Sequence, residues 1–406
     1  MKVKIIKGTN QIGGCITEIT CNKTKIIIDY GEDLEDNNIP FELDGLTKGK
    51  SIYNAVFITH SHADHIGLID LINEDIPVYV EEKSLEIHNL TCDFTNKERV
   101  IRKINKFEIK NINEEDRVIF QNEDIKVSSY IGDHSSFNSV MYLVEGEGKK
   151  ILHTGDFRMH GRRKSAFLES LNKVGKVDLL ITEGTTLTRG NNRFKTEDKL
   201  QEEATNVMKK YNQVLVMQSS TNVDRLVSFE KAGLKTKHKI VFDLFSRYVI
   251  KSSNLPIVVN NKTIFTWIPL KYKYKPEWFK EEYMNIEKSS KFFPNYVIFV
   301  KESMISDIKL LKEKGSLKNA CLIYSMWNGY IEKSESLRKF LDECNNIGIT
   351  ILNIHTSGHA DKTAMRGVNK ICNPDKTIII HTDDKTNGLD IFNNVIDLKD
   401  NEDIDI

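Results

Sequence analysis

Short apolar runs alternate along the chain with longer segments in which apolar residues recur at helical spacing. The run at residues 55–58 has the length and the composition of a buried strand. The segment 303–314 instead places Ile305, Ile308 and Leu311 on one face of a helix. A chain that repeats this alternation of strands and helices is expected to form an α/β fold.

The pattern predicts more than one domain. At 406 residues the chain is longer than a typical single domain. Residues 1–185 read as hairpins and strands, whereas residues 186–352 repeat strand–helix units, which predicts a parallel α/β domain inserted into the first. Residues 353–406 then return to the first domain, and their acidic tail from residue 397 is expected to be frayed and solvated.

The distribution of charge, not its total, is informative. The 58 Lys and Arg residues balance the 58 Asp and Glu residues. Residues 186–353, however, hold 28 basic and 18 acidic residues, which leaves 30 and 40 for the remainder. A basic domain beside an acidic one suits a polyanionic substrate, although chance could produce an excess of this size over 168 residues.

The cysteine pattern and the N-terminal sequence together predict the cellular compartment of the protein. The six cysteines include no Cys-x-x-Cys pair, as expected for buried thiols in a reducing interior. We find neither a signal peptide nor an apolar run long enough to span a membrane. The sequence therefore predicts a cytoplasmic protein without a membrane partner.

A cluster of potential metal ligands follows the strand predicted at residues 55–58. It consists of His60, His62, Asp64 and His65. Imidazole nitrogens and carboxylate oxygens suit zinc or a similar first-row metal, and α/β folds bind ligands at the carboxyl ends of strands. Three of the chain's 11 histidines within six positions make a merely solvated loop an improbable interpretation.

Further polar residues follow other predicted strands. His134 ends one of them and is assigned to a first metal, although a lone histidine is more often structural. Asp156 follows the next strand as Thr-Gly-Asp-Phe-Arg. We expect it to bridge two metals, because bridging needs an anionic ligand with two oxygens, which histidine cannot supply.

His-x-His-x-Asp-His is the signature of the metallo-β-lactamase fold hydrolases, and the chain resembles that superfamily. The third position is histidine, which is unlike the diiron flavoprotein branch, where glutamate is typical. Glu183, the Ser-Gly-His turn at His359 and the strand-end His381 follow in order around a long insertion. This order is similar to the β-CASP branch, which acts on nucleic acids, and within it to the RNase J group. The resemblance implies an αββα sandwich with an inserted β-CASP α/β domain.

The resemblance also implies a role for each site residue. Two divalent metal ions are expected, with zinc favoured by ligand type and manganese an alternative. One would be held by His60, His62 and His134, the other by Asp64, His65 and His381, with Asp156 between them. Asp29, which ends an early strand, would support the ligand loop without touching a metal. Two metals about 3.5–4 Å apart can share a hydroxide and clamp a phosphate oxygen.

The remaining predicted site residues surround the leaving group. His359 would protonate the leaving oxygen, and Glu183 would fix the tautomer of His359. Asp64, Glu183 and His359 are thus the residues predicted to take part in catalysis. In the RNase J group this turn also contacts a terminal phosphate. The predicted phosphate-binding set is His355, Ser357, Gly358 and His359.

The sequence departs from the RNase J group in three places. Chains of that group carry a further C-terminal domain that helps them to oligomerise, and we expect none here, which leaves monomer or homodimer open. His381 is followed by Thr-Asp-Asp, where those enzymes have Gly-Glu. The insertion is also shorter than expected, so the RNA channel could be reshaped.

The predicted function is that of a two-metal ribonuclease acting on RNA, with endonuclease or exonuclease mode left open. A DNA nuclease, a small-molecule hydrolase such as a thioesterase or lactonase, and a non-catalytic RNA-binding subunit are the alternatives. The basic insertion and the His359 motif argue against the small-molecule enzyme, and the complete ligand set argues against the silent subunit.

Three segments of the insertion could contact nucleic acid, and each has a plainer interpretation. The turn at residues 327–330 could stack a base or simply pack. Residues 219–222 could bind phosphate but more simply cap a helix. The lysines at 271, 273 and 275 could follow a nucleic-acid backbone or lie on a solvated edge strand.

Overall fold

The computed structural model describes residues 1–34, 41–95, 97–100, 102–110, 114, 117–255, 264–270, 283–285 and 293–406. The chain divides into two compact units. The first comprises Met1–Phe194 and Gly358–Ile406, and the second comprises Lys195–Ser357. The boundaries predicted after residues 185 and 352 lie near these limits, and the identity assigned to each predicted domain stays a prediction.

The secondary structure alternates as the α/β prediction requires. The strands are β1 (Lys2–Lys7), β2 (Ile16–Cys21), β3 (Thr24–Ile28), β4 (Ala55–Ile58), β5 (Val78–Glu81), β6 (Ile104–Phe107), β7 (Val118–Gln121), β8 (Lys126–Ile131), β9 (Val140–Gly146), β10 (Lys149–His153), β11 (Leu179–Glu183), β12 (Gln213–Met217), β13 (Lys239–Asp243), β14 (Ile264–Trp267), β15 (Tyr283–Met284), β16 (Tyr296–Phe299), β17 (Ala320–Tyr324), β18 (Thr350–Asn353), β19 (Lys376–Ile380) and β20 (Asp403–Asp405). The helices are α1 (Ala63–Ile66), α2 (Glu82–Thr95), α3 (Lys164–Val174), α4 (Glu197–Met208), α5 (Val223–Lys235), α6 (Leu244–Ser252), α7 (Ile305–Glu313), α8 (Gly329–Lys333), α9 (Glu335–Asn346) and α10 (Lys362–Cys372). No helix in the described part of the chain is long and apolar enough to span a membrane.

The first unit is a four-layer sandwich built from two sheets. Their strand orders are β20-β1-β2-β3-β4-β5-β6 and β19-β11-β10-β9-β8-β7. A shared apolar cluster, which includes Phe57 from one sheet and Tyr142 from the other, packs between them. A second cluster joins one sheet to α2, and a third joins the other sheet to α3 and α10.

Strand β4 shows why the sequence forms this sandwich. Its four residues are all buried. Successive side chains of a strand point to opposite faces, so Ala55 and Phe57 join the cluster between the sheets while Val56 and Ile58 join the cluster on the outer face. A strand covered on both faces needs a continuous apolar run, which is the pattern found there.

The prediction of a frayed acidic tail is wrong. The tail forms β20, which pairs antiparallel with β1. Ile404 packs against the cluster between the sheets, and the Lys2 ammonium lies 3.2 Å from the Asp403 carboxylate. The tail alternates acidic and apolar residues, so the high acidic content conceals the period of two that marks a half-buried strand.

The described residues of the second unit form one sheet in the order β15-β14-β13-β16-β12-β17-β18. Every pairing within it is parallel, which confirms the predicted parallel α/β architecture of this segment. Asn222 caps α5 by accepting a hydrogen bond of 3.1 Å from the Arg225 amide, as the plainer interpretation of residues 219–222 expects. The predicted lysine strip at residues 271–275 lies outside the described residues.

A buried arginine ties the second unit together. Arg225 is 1% exposed. Its guanidinium donates to the Glu197 carboxylate at 2.9 and 3.1 Å, to the Ser325 carbonyl at 3.1 Å and to the Thr356 carbonyl at 2.9 Å. These bonds connect α5 with the start of α4 and with the segments that follow β17 and β18.

We expect Arg225→Met to destabilise the second unit by about 3–5 kcal/mol, because it leaves the buried Glu197 carboxylate without its cation. Unfolding in urea, followed by circular dichroism, would measure the loss. Lys339→Met is the matched control, since it removes a cation from an exposed pair with Glu335 on α9, for which about 0.3–0.5 kcal/mol is expected. Equal unfolding midpoints for the two variants would contradict the structural role of Arg225.

Candidate metal centre

The ligand loop begins where β4 ends. His60 and His62 lie in the extended segment before α1, and Asp64 and His65 lie on α1 itself. The short helix is held by the backbone of residues 30–32, where the Tyr30 amide donates to the His65 carbonyl at 2.9 Å. Gly31 lies against this helix, and a Cβ there would fall 1.8 Å from the Asp64 carbonyl oxygen. A glycine is therefore required for the approach.

The first group of ligand atoms is formed by three histidines. His60 Nε2 lies 3.1 Å from His62 Nδ1, and His134 Nε2 lies 3.2 Å from the same atom. All three rings belong to residues buried or nearly so. Three ring nitrogens that converge at this distance can be satisfied together by one cation, so the donor set fits a metal of the type that imidazole binds.

The second group combines a carboxylate with two histidines. Asp64 Oδ2 lies 3.1 Å from His381 Nε2 and 3.6 Å from His65 Nε2. The ligand atoms of this group all lie within 4.8 Å of one another. His65 Nε2 is buried and has no hydrogen-bond partner among the described residues, so its position also fits a bound cation.

One oxygen of Asp156 reaches both groups. Its Oδ2 lies 3.8 Å from His60 Nε2 and 3.9 Å from His134 Nε2 on one side. On the other side it lies 3.4 Å from His65 Nε2 and 3.6 Å from His381 Nε2. This position between the two groups is what a bridging carboxylate requires.

Asp29 holds the ligand loop from beneath. Its fully buried carboxylate accepts the Thr59 amide at 2.7 Å, the Thr59 hydroxyl at 2.8 Å and His65 Nδ1 at 2.8 Å. An ionised carboxylate only accepts hydrogen bonds, so His65 donates from Nδ1, and Nε2 is the ring nitrogen that faces the centre. The Thr59 hydroxyl likewise gives its proton to Asp29 and can accept one from His60 Nδ1, which is 3.0 Å away.

Burial and neighbouring charges divide the histidines into two classes. Burial lowers the pKa of His60 and that of His134 well below the ordinary value, and neighbouring histidines add to the effect. Burial acts in the same direction on His65, but the charges of three carboxylates, led by Asp156, raise its pKa well above the ordinary value. The three-histidine group therefore stays neutral and offers lone pairs, while the other group is balanced by negative charge.

Glu183 and His359 lie beside the two groups. Both oxygens of the buried Glu183 carboxylate lie 3.2 Å from His359 Nδ1. The same carboxylate accepts the amides of Phe157 at 3.0 Å and Thr185 at 3.2 Å, which fixes its orientation. The His359 side chain is 21% exposed and its Nδ1 lies 3.6 Å from Asp156 Oδ2. His359 thus combines a fixed ring with access to solvent.

The predicted phosphate-binding turn is divided between the units. His355 and Ser357 belong to the second unit, and Gly358 and His359 belong to the first. Gly358 lies against Ser135, and a Cβ there would fall 2.5 Å from the Ser135 hydroxyl, so a side chain at this position would require Ser135 to move. The phosphate-binding role of the turn stays a prediction.

The helix that follows His359 was not predicted from the sequence. Asp361 caps α10 by accepting the Ala364 amide at 2.8 Å, and its other oxygen accepts the Phe194 amide at 3.0 Å. The segment that carries His359 is thereby anchored at its carboxyl side.

A buried ion pair that was not predicted from the sequence lies beside the ligand loops. Arg158 Nε lies 3.4 Å from Asp133 Oδ1, and both residues are fully buried. Asp133 also accepts the Gly161 amide at 3.0 Å. Asp133 immediately precedes His134, and Arg158 follows Asp156 by two positions, so the pair ties together two ligand-bearing loops. Charged residues adjacent to two predicted ligands were the available signal.

Two threonines that were not predicted as site residues also contact ligand histidines. Thr59 contacts His60, as described above, and the Thr185 hydroxyl lies 2.8 Å from His381 Nδ1. Thr59 is adjacent to the first histidine of the motif, which could have drawn attention to it. The contact between Thr185 and His381 joins residues 196 positions apart, which local sequence does not reveal.

Comparison with known proteins agrees with this geometry. A family profile described as "Beta-lactamase superfamily domain" matches residues 24–213. Ribonuclease J 2 of Streptococcus pyogenes is 24% identical over 241 residues, which cover 56% of this chain and 42% of that protein. Ribonuclease J of Mycoplasma genitalium is 28% identical over 184 residues, which cover 43% of this chain and 31% of that protein. The matches therefore span less than half the length of these relatives.

A solved structure shows that the fold recurs over the whole length. A protein of unknown function from Enterococcus faecalis V583 superimposes with a TM-score of 0.81 at 19% identity, covering 99% of both chains. The predicted α/β sandwich is confirmed, and this fold implies that the site binds divalent metal. Residues 24–213 thus match the β-lactamase superfamily domain, and the chain is similar to RNase J proteins over part of its length.

Proposed function

We propose that this protein is a two-metal phosphodiesterase that cleaves RNA in the manner of an RNase J enzyme. The observation that carries the proposal is the position of one Asp156 oxygen between two ligand groups, beside a histidine held by Glu183. Such an arrangement can hold two cations around Asp156, with a proton donor beside them. A site of this kind serves displacement at phosphorus.

In this proposal each of the two groups of ligand atoms described above binds one metal ion. His60, His62 and His134 would hold one cation, and Asp64, His65 and His381 the other, with Asp156 between them. Zinc is favoured by the nitrogen-rich ligand set, with manganese as the alternative. When bound, such ions supply Lewis-acid stabilisation of the phosphoryl oxygens and activate water near neutral pH.

His359 is the proposed proton donor to the leaving oxygen. The Glu183 carboxylate accepts the proton of His359 Nδ1, so Nε2 is the ring nitrogen that exchanges a proton with the substrate. Glu183 itself acts as a positioning residue, because it fixes the orientation and the tautomer of the ring. Asp64 contributes as a metal ligand, and its Oδ2 lies 3.1 Å from Nε2 of His381, a ligand of the same group.

RNA is the proposed substrate for two reasons. Both curated relatives described above carry the name ribonuclease J. The segment 186–353 also has an excess of ten positive charges, as expected for a unit that contacts a polyanion. We assign this second unit to the β-CASP type, and we expect it to contact the RNA backbone without sequence preference.

A cleavage assay tests the substrate class. End-labelled single-stranded RNA and DNA of one sequence, each with a 5′ monophosphate or a 5′ hydroxyl, would be incubated with zinc or manganese, and His65→Ala would be the control. Release of mononucleotides from 5′-monophosphate RNA, absent in the control, supports an RNase J-like exonuclease, and internal fragments support an endonuclease. Cleavage of DNA alone indicates a DNA nuclease. Metal binding without cleavage of either polymer indicates a small-molecule hydrolase or an RNA-binding subunit.

Alanine at Asp64 is expected to abolish cleavage while the fold is kept, because the substitution removes one ligand of the second group and leaves Asp29 and its hydrogen bonds in place. Metal content by elemental analysis should fall from two ions to one or fewer per chain. Circular dichroism serves as the control for folding. Full activity in this variant would contradict the assignment of the second group.

Alanine at His359 is expected to slow cleavage by about 10²–10⁴-fold with both metals retained, since the ring is proposed to move a proton and not to bind a cation. Rates under saturating RNA and metal content would be measured together. His88→Ala is the matched control, because it removes a half-buried histidine of the same unit, on α2. Loss of a metal ion in His359→Ala would show that its proposed role is wrong.

A further inference from the structure

We infer that Thr185 is a positioning residue that fixes the tautomer and the orientation of His381, so that His381 presents Nε2 to the second ligand group. The inference rests on the proposed metal centre and goes further by assigning a task to a neutral side chain outside the ligand set. It was suggested by neither the ligand motif nor the comparisons.

The register of two strands brings the residues together. β11 and β19 are parallel neighbours in which Glu183 pairs with Ile380. The Gly184 amide continues the ladder by donating to the Ile380 carbonyl at 2.9 Å. The residues that follow the two strands therefore leave the sheet side by side. Thr185, which is 4% exposed, consequently packs against His381.

A count of protons determines the tautomer. The Thr185 hydroxyl oxygen lies 2.8 Å from His381 Nδ1 and 3.3 Å from the His381 carbonyl oxygen. A hydroxyl has one proton to donate, and a carbonyl oxygen can only accept. Both contacts are hydrogen bonds only when the hydroxyl donates to the carbonyl and the ring donates its Nδ1–H to the hydroxyl.

In the neutral ring, which is the form that binds a metal, this assignment leaves the lone pair of Nε2 on the side of the ligand group. His381 Nε2 lies 3.1 Å from Asp64 Oδ2 and 3.6 Å from Asp156 Oδ2. With the other tautomer, Nε2 would carry a proton towards the two carboxylates and could not bind a cation. The hydroxyl of Thr185 thus selects the form of the ring that a metal requires.

Thr185 also stabilises the backbone conformation of His381. His381 has φ of +54°, a left-handed conformation that is uncommon for residues other than glycine and must be held by its surroundings. The His381 amide donates to the Gly8 carbonyl at 2.8 Å, and the His381 carbonyl accepts from Thr185. One hydroxyl therefore holds both the ring and the peptide of the same residue.

The same arrangement occurs at the other ligand group. The Thr59 hydroxyl donates to Asp29 at 2.8 Å and lies 3.0 Å from His60 Nδ1. Each group therefore contains a histidine whose Nδ1 faces a threonine hydroxyl that has already given its proton to an oxygen. Because the same threonine–histidine contact occurs on two separate segments, we interpret these threonines as residues that select a histidine tautomer and not as residues that only fill space.

Substitution of Thr185 by valine keeps the shape of the side chain and removes the hydroxyl, and substitution by serine restores it. Thr186→Val is the matched control, because Thr186 is a buried neighbour whose hydroxyl donates to the Ala360 carbonyl. The full chain of each variant would be titrated with zinc against a chelating dye. In the zinc-loaded proteins, ¹⁵N-histidine spectra would be searched for an exchange-protected Nδ1–H, assigned to His381 with His381→Gln.

We expect Thr185→Val to lower the affinity for one of two zinc ions by about 10–100-fold and to lose the protected Nδ1–H. Thr185→Ser and Thr186→Val should keep both. Wild-type affinity and a retained Nδ1–H in Thr185→Val would overturn the inference, and so would a loss of zinc affinity as large in Thr186→Val.

The readouts need no nucleic acid, so the inference can fail separately from the proposed activity. Cleavage of RNA by the wild type together with unchanged zinc binding in Thr185→Val would overturn the inference alone. A wild-type chain that binds no zinc would overturn the inference and the proposed metal centre together.

Discussion

The hydrogen bonds accepted by Asp29 are the interaction on which the rest of the site depends. A fully buried carboxylate has a high desolvation cost unless it is hydrogen-bonded, and Asp29 meets this need with a backbone amide, a hydroxyl and a ring nitrogen. Two of these donors belong to Thr59 and the third to His65, so the bonds span the ligand loop between β4 and α1. Because Asp29 adopts φ of +61°, the turn after β3 is itself shaped to aim the carboxylate under that loop.

The sandwich architecture supplies the remaining ligands. His134, Asp156 and His381 each follow a strand of one sheet, while the loop with His60 follows a strand of the other. The loops leave the sheets at a common edge, where side chains separated by hundreds of positions come within a few ångströms. The buried pair of Asp133 and Arg158 stabilises this arrangement, since each partner lies beside a ligand and a buried charge is costly without a counter-charge.

The chemistry of the site follows from the separation of neutral and charged groups. The three-histidine group is kept neutral by burial, whereas Asp64 and Asp156 balance the rings of the other group. Glu183 adds a further carboxylate that contacts His359 and two backbone amides. The centre thus offers lone pairs, negative charge and one partly exposed ring within a small volume, a combination that suits the hydrolysis proposed above.

Local sequence was sufficient to predict the α/β class and the parallel architecture of the second unit, and it singled out the histidines and the aspartate of the predicted ligand motif. Local periodicity and residue type suffice for these, because a strand buried on both faces must be apolar and a ligand loop must be polar. The tertiary structure alone decided that the acidic tail pairs with β1, that Asp133 meets Arg158 and that Thr185 faces His381. Those contacts join distant parts of the chain through strand register, and a tail that looks solvated by composition is half-buried once a neighbouring strand covers one of its faces.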